Sequence, residues 1–183
     1  MLPLPLAFAD LTRTTVPYPA DPFAEEYRVP ASREVGAAPG QVRFSGGGSV
    51  GVGRAGLDLG LQGTLELMTV SWLGVRASAA GVLFPAAGEP PLASLRAGPS
   101  VHLLPYRRVD VTSFLEGGLG VVTSPEVTAM PVISPGGTID VWLSSALFVR
   151  LEGRVDWGIY ALDDSRARPL LRAVGSLGLG VGL

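Results

Sequence analysis

The chain carries one histidine, His102, and a lone imidazole among carboxylates and hydroxyls is the first place to look for chemistry. A hydrolase would need it beside a nucleophile and an orienting acid. Ser100 lies two residues away, on the same face of any extended segment, and acids on adjacent strands could complete the set. Two acidic clusters, Glu152 with Asp156 and Asp163-Asp164, raise a different chemistry, that of a divalent cation. A calcium site needs several converging oxygens, and no ordered spacing supplies them here. Those acids are expected to be solvated or paired, so no metal and no cofactor is implied. The glycine runs Gly46-Gly47-Gly48 and Gly178-x-Gly180-x-Gly182 are not phosphate loops, because no helix follows them. They fit strand glycines that permit curvature and close packing. With no cysteine, disulfide scaffolds, Cys-ligated zinc and thiol nucleophiles are all excluded.

The elements that must hold these residues announce themselves by a period of two, the signature of a strand with one buried face. Over 56–66, Leu57, Leu59, Leu61 and Leu65 share one face, and Asp58, Gln62, Thr64 and Glu66 lie on the other with glycines. Over 94–103, Leu95, Ala97, Val101 and Leu103 oppose Ser94, Arg96, Ser100 and His102. The clearest stretch is 147–159, where Leu147, Val149, Leu151, Val155, Trp157 and Ile159 oppose Arg150, Glu152, Arg154 and Asp156. At the end, Leu171, Ala173, Leu177, Leu179, Val181 and Leu183 oppose Arg172 and Ser176. Weaker versions cover 41–52, 73–84, 109–122 and 137–143. The sum is about eight strands. Several approach ten residues or more, against about 5–6 in ordinary soluble sheets and about 9–11 for a tilted membrane strand.

Composition decides how such strands are arranged. Only 16% of the 183 residues are charged and 47% are hydrophobic, with 25 glycines and 16 prolines. All 14 basic residues are arginine, and the formal net charge of -2 gives no field that would favour nucleic acid. No apolar run reaches the roughly 18–20 residues of a spanning helix. Lipid offers no partner to exposed backbone groups, so a membrane form of this chain must be a closed barrel. Alternation alone leaves two orientations open. A soluble, lipocalin-like barrel would bury its leucines around an apolar ligand, whereas a membrane barrel turns them toward lipid. Charge poverty, strand length and loop asymmetry favour lipid. Short turns are expected near 67–72, 105–108 and 144–146, and longer loops at 85–92, 123–136 and 161–169. The connection at Gly53-Arg54 is short where a long one is expected. Trp72, Phe84, Tyr106, Trp157 and Tyr160 fall near strand ends and suit an interfacial belt, while Trp142 and Phe148 fall on the inner face.

The expected fold is therefore all-β, an eight-stranded antiparallel up-and-down transmembrane barrel over 41–183. Residues 1–9, ending in Ala7-Phe8-Ala9, resemble the tail of an export signal, and 10–40 form a proline-rich, irregular periplasmic lead-in. The inner face then carries a charge network of Asp58, Glu66, Arg76, Arg96, Asp110, Glu116, Asp140, Arg150, Glu152, Arg154, Asp156 and Arg172, with His102 among them. A barrel this narrow is filled by its side chains, and buried charges must pair. Guanidinium forks suit carboxylates, and the interspersed glycines leave room for long arginines. His102 becomes a packed interior residue, and no catalytic residue is assigned. A narrow channel remains an alternative.

The stretch 136–154 opens on Gly136-Gly137 and continues with a Trp142-Leu143 pair, a short turn and then Arg150-Leu151-Glu152-x-Arg154. It resembles a recurring hairpin of small bacterial outer-membrane barrels of the OmpA/OmpX type, and 65–76, with Trp72 and Arg76, echoes it. The resemblance implies an outer-membrane location, contact with outer-membrane lipid, and insertion by the barrel-assembly machinery. It also implies envelope partners reached through loops or the lead-in. Members usually end in an aromatic residue, and this chain ends in Leu183. Such barrels serve as anchors, adhesins, small channels or lipid-modifying enzymes, so no activity carries over. The expected role is structural or interactive, not enzymatic.

Overall fold

A computed structural model describes residues 39–105, 108–123, 127–161 and 167–183, and within them every regular element is a strand. In order they are β1 (Val42–Gly53), β2 (Gly56–Val70), β3 (Leu73–Phe84), β4 (Leu92–His102), β5 (Val109–Thr123), β6 (Val127–Trp142), β7 (Leu147–Ala161) and β8 (Ala167–Gly182). Each pairs antiparallel with its sequence neighbours, and β8 returns to β1 to close the barrel. At the closing seam Val42 and Leu183 exchange two backbone hydrogen bonds, of 3.1 and 2.9 Å. Closure leaves no sheet edge along the wall, as a lipid-facing sheet requires. The expected signal remnant at 1–9 and most of the 10–40 lead-in lie outside the described residues.

Side-chain direction follows the predicted alternation in all eight strands. Among the described residues no Asp, Glu or Arg occupies an outward position in any strand. Apolar side chains and glycine fill most of that surface, with Leu61, Leu119 and Leu177 typical. The charged residues point inward, the reverse of a soluble barrel's polarity. A lipocalin-like barrel, with an apolar lumen and a polar exterior, does not fit this distribution. The strands run from 11 to 16 residues, enough to cross a hydrocarbon core that needs about 9–11.

The loops depart from expectation. Strand β6 begins at Val127, so most of the segment 123–136 is wall and not loop, and β7–β8 pairing runs out to Ala161↔Ala167. Proline explains the discrepancy. Pro131 and Pro135 pair with Leu119 and Leu115 on β5, and the β6–β7 register skips both positions. Pro99 likewise pairs with Val75 on β3 but not with β5, and Pro169 pairs with Ile159 on β7 beyond the end of β1. Each sits where one ladder is already interrupted, so its missing donor costs little, and each side of the pyrrolidine ring meets the exterior. The connections away from the termini thus shrink to 54–55, 85–91, 124–126 and 162–166. The predicted contrast between short turns at one end and long loops at the other is weak.

Two local details serve the interior. The two-residue turn between β1 and β2 uses Gly56 at φ 130°, a region closed to ordinary side chains. In β3 the register shifts at the β2 positions Leu59 and Gly60, a bulge that lets Leu83 and Phe84 both face outward. Trp72, Phe84 and Trp157 are exposed near strand ends as the aromatic belt requires. Tyr106 and the Tyr160 side chain lie outside the described residues.

Candidate functional site: an ion-paired lumen

All twelve sequence-predicted lumen charges are buried, together with His102 and an arginine that the alternation argument passed over, Arg43. Counting them gives seven carboxylates, six guanidinium groups and one imidazole within a single barrel. They fall into three levels along the axis. The end carrying both termini of the barrel is called the base here, and the opposite end the mouth.

At the base, Arg43 on β1 is the hub. It donates to Asp140 on β6 and, at 3.1 Å, to Asp110 on β5, and its Nη1 lies 3.6 Å from Glu66 on β2. Arg150 on β7 binds Asp140 in a fork, with Nε and Nη2 each 2.7 Å from a different oxygen, and reaches Glu66 at 3.2 Å. His102 stands between the remaining acids, Nδ1 2.6 Å from Asp110 and Nε2 3.2 Å from Glu66, with the Thr112 hydroxyl 3.1 Å from Nδ1. Below these, Trp142 and Phe148 close the base, ring centroids 4.9 Å apart, and the Arg43 guanidinium lies over both. A cation held over an aromatic face in a dry site gains of order 1–2 kcal/mol beyond its ion pairs.

The middle level is a chain of shared carboxylates. Arg76 donates to Glu116 and to Glu152, both at 2.8 Å, and stacks on Phe114 with its guanidinium carbon 3.7 Å from the ring centroid. Glu152 also accepts from Gln62 at 2.6 Å and from Arg154 at 3.0 Å, while Arg154 donates to the Gln62 side-chain oxygen as well. Asp156 then gathers Arg96 at 2.6 Å, Arg154 at 2.9 Å and the Ser134 hydroxyl at 2.8 Å. Ser78 completes Glu116 at 2.8 Å. Hydroxyls and an amide occupy the lone pairs that the arginines leave free, which a buried charge requires if it is not to cost several kcal/mol.

At the mouth the network thins to one fork. Arg172 on β8 binds both oxygens of Asp58 on β2, with Nε 2.6 Å from Oδ2, and touches Asp156 at 3.8 Å. Gly51 lies directly beneath this pair. A Cβ there would run into the Arg172 guanidinium and Asp58, so the absence of a side chain makes the room. The other side of the mouth is apolar: Leu92, Val122, Met130 and Val132 pack together with Val82 and Leu170.

This geometry bears on the chemistry considered for single residues. Both ring nitrogens of His102 face carboxylates, and the Ser100 hydroxyl makes no hydrogen bond to protein. No nucleophile–base pair is formed. Glu152 and Asp156 are each occupied by arginine, and no cluster of three acidic or histidine ligands suited to a metal occurs among the described residues. Asp163 and Asp164 lie outside them. Arg43 escaped the alternation argument because its strand is diluted by Gly46-Gly47-Gly48. Its place opposite Phe44, Val50 and Val52 was the available signal.

No family model matches this sequence, and no curated protein matches it. Solved structures do. The fold is similar to that of the outer membrane protein OprG from Pseudomonas aeruginosa, at TM-score 0.60 and 11% identity, covering 81% of this chain and 98% of that one. The N-terminal β-barrel domain of Pseudomonas aeruginosa OprF superposes at TM-score 0.52 and 14% identity, covering 80% of this chain and all of the other. Ail, the attachment invasion locus protein of Yersinia pestis, does so at 0.52 and 17%, covering 79% and 99%. At such identities the likeness is one of fold, and with the apolar exterior and charged lumen it defines this chain as an eight-stranded antiparallel transmembrane β-barrel.

Proposed function

We propose that the chain is a bacterial outer-membrane barrel with a structural or interaction role, and that its lumen is closed by the ion-paired interior. The observation that carries this reading is the polarity of the wall: among the described side chains, seven carboxylates and six guanidinium groups lie inside and no charged strand residue points outward. A void beside Arg150 and Gln62, bounded also by Ser45, Thr64 and Ser176, measures about 10 Å³. That is room for about one water molecule and not for a hydrated ion. In this reading the barrel is not an enzyme and holds no cofactor. It meets outer-membrane lipid over its wall, depends on the barrel-assembly machinery for insertion, and engages envelope partners through its connections or its N-terminal lead-in.

Membrane fractionation tests the location and the wall together. The protein is expected in the outer-membrane fraction, released only by detergent, and to run faster on gels unheated than boiled. Extraction by buffer alone would overturn the reading. Liposome swelling tests closure, with sugar entry no faster than in protein-free vesicles as the expected result.

A further inference from the structure

We propose that His102 is a proton-binding site which locks the base of the lumen, serving as the third cation there against three carboxylates. The inference rests on the closed-lumen reading, and two observations carry it. The first is the charge count at the base: two guanidinium groups, Arg43 and Arg150, face three buried carboxylates, Glu66, Asp110 and Asp140. The second is geometry. Nδ1 lies 2.6 Å from Asp110 and Nε2 lies 3.2 Å from Glu66. A neutral imidazole has one N–H and so can donate to only one of them, leaving a lone pair facing the other carboxylate. Only the imidazolium donates to both.

Of the groups around the ring, the acids and a hydroxyl favour a cation there and one guanidinium opposes it. On β5, Thr112 offers its hydroxyl oxygen to Nδ1 at 3.1 Å, beside Asp110. On β1, Arg43 Nη1 is a like charge 3.4 Å from Nδ1, and Asp110 Oδ2, 3.1 Å from Nη1 and 2.6 Å from Nδ1, lies against both and offsets the repulsion. On β2, Glu66 also holds Arg150 of β7, whose fork partner is Asp140 of β6. On β3 the inward residue across from Ser100 is Gly74, which carries no charge. Loss of the proton would break one contact outright and leave the base with an unbalanced carboxylate beside the Trp142 and Phe148 cap. The base is then a latch that holds while the proton is bound and loosens as pH rises and the proton leaves.

Because His102 is the single histidine, its ring nitrogens can be read without ambiguity by ¹⁵N NMR of the full chain in lipid nanodiscs. Two protonated ring nitrogens at pH 7.5, converting to one at higher pH together with a loss of the fast-running unheated gel band, is the expected result. A neutral tautomer at pH 7.5 overturns the proposal, whatever the lumen conducts. Glu66→Gln removes the extra carboxylate and balances the base with a neutral ring. Its gel band is expected to survive the alkaline pH that abolishes the wild-type band, and an unchanged pH dependence in that variant would also count against the latch. Sugar entry into vesicles at pH 7.5 with an imidazolium signal present would sink closure but not the proton site.

Discussion

The base and the mouth of the lumen are closed by different physics. At the base, Arg43, Glu66, His102, Asp110, Asp140 and Arg150 form a dense set of ion pairs, capped by Trp142 and Phe148. At the mouth, one Asp58–Arg172 fork sits beside a packed cluster of Leu92, Val122, Met130 and Val132. The first depends on complete pairing, because any charge left alone in a dry interior is costly. The second depends on volume, where a lost methylene costs its transfer energy and the cavity it leaves. The contrast predicts that the two ends of the lumen respond to different substitutions, the base to lost charge and the mouth to lost volume.

The largest effect is expected from Arg43→Ala. It takes one cation from Asp110, Asp140 and Glu66 at once, leaving Arg150 and His102 to hold all three, and breaking a buried pair costs about 3–5 kcal/mol, measurable by urea unfolding of the barrel in vesicles. Next is Leu151→Arg, which places on the lipid face the same side chain that its neighbour Arg150 holds safely inside. Near the bilayer midplane an outward arginine costs about 2–4 kcal/mol, so a small effect there would mean the wall does not face lipid at that height. At the mouth, Met130→Ala should cost about 2–3 kcal/mol through its cavity and leave the base intact. The smallest change is expected for Asp58→Asn. It keeps a hydrogen-bond acceptor for a guanidinium already near the opening, and a loss of about 1 kcal/mol is the expected reading. If Asp58→Asn proved worse than Arg43→Ala, the ranking of the two ends would be reversed.

Much of this was legible in the residues, and the failures have physical causes. Leucines at 57, 59, 61 and 65 against Asp58, Gln62 and Glu66 give away both the strand and its two faces, since side-chain period is a local property. Orientation followed from global charge poverty. The first half of β6 was hidden because Pro131 and Pro135 usually mark a loop, and only the register shows that both occupy positions where the ladder to β7 is interrupted. Who pairs with whom was not legible at all. Asp58 and Arg172 are 114 positions apart and meet only because the barrel closes and β1 between them offers Gly51. Arg43 was masked by glycines that weaken the alternation around it, though it has more carboxylate partners than any other base residue.

The claim that the interior is sealed by paired charge is best put to a planar lipid bilayer. Purified wild-type protein, inserted at neutral pH, is expected to leave the membrane without steady unitary current steps, while Arg43→Ala gives brief, irregular openings. Stable, long-lived unitary conductance from the wild-type barrel would contradict it.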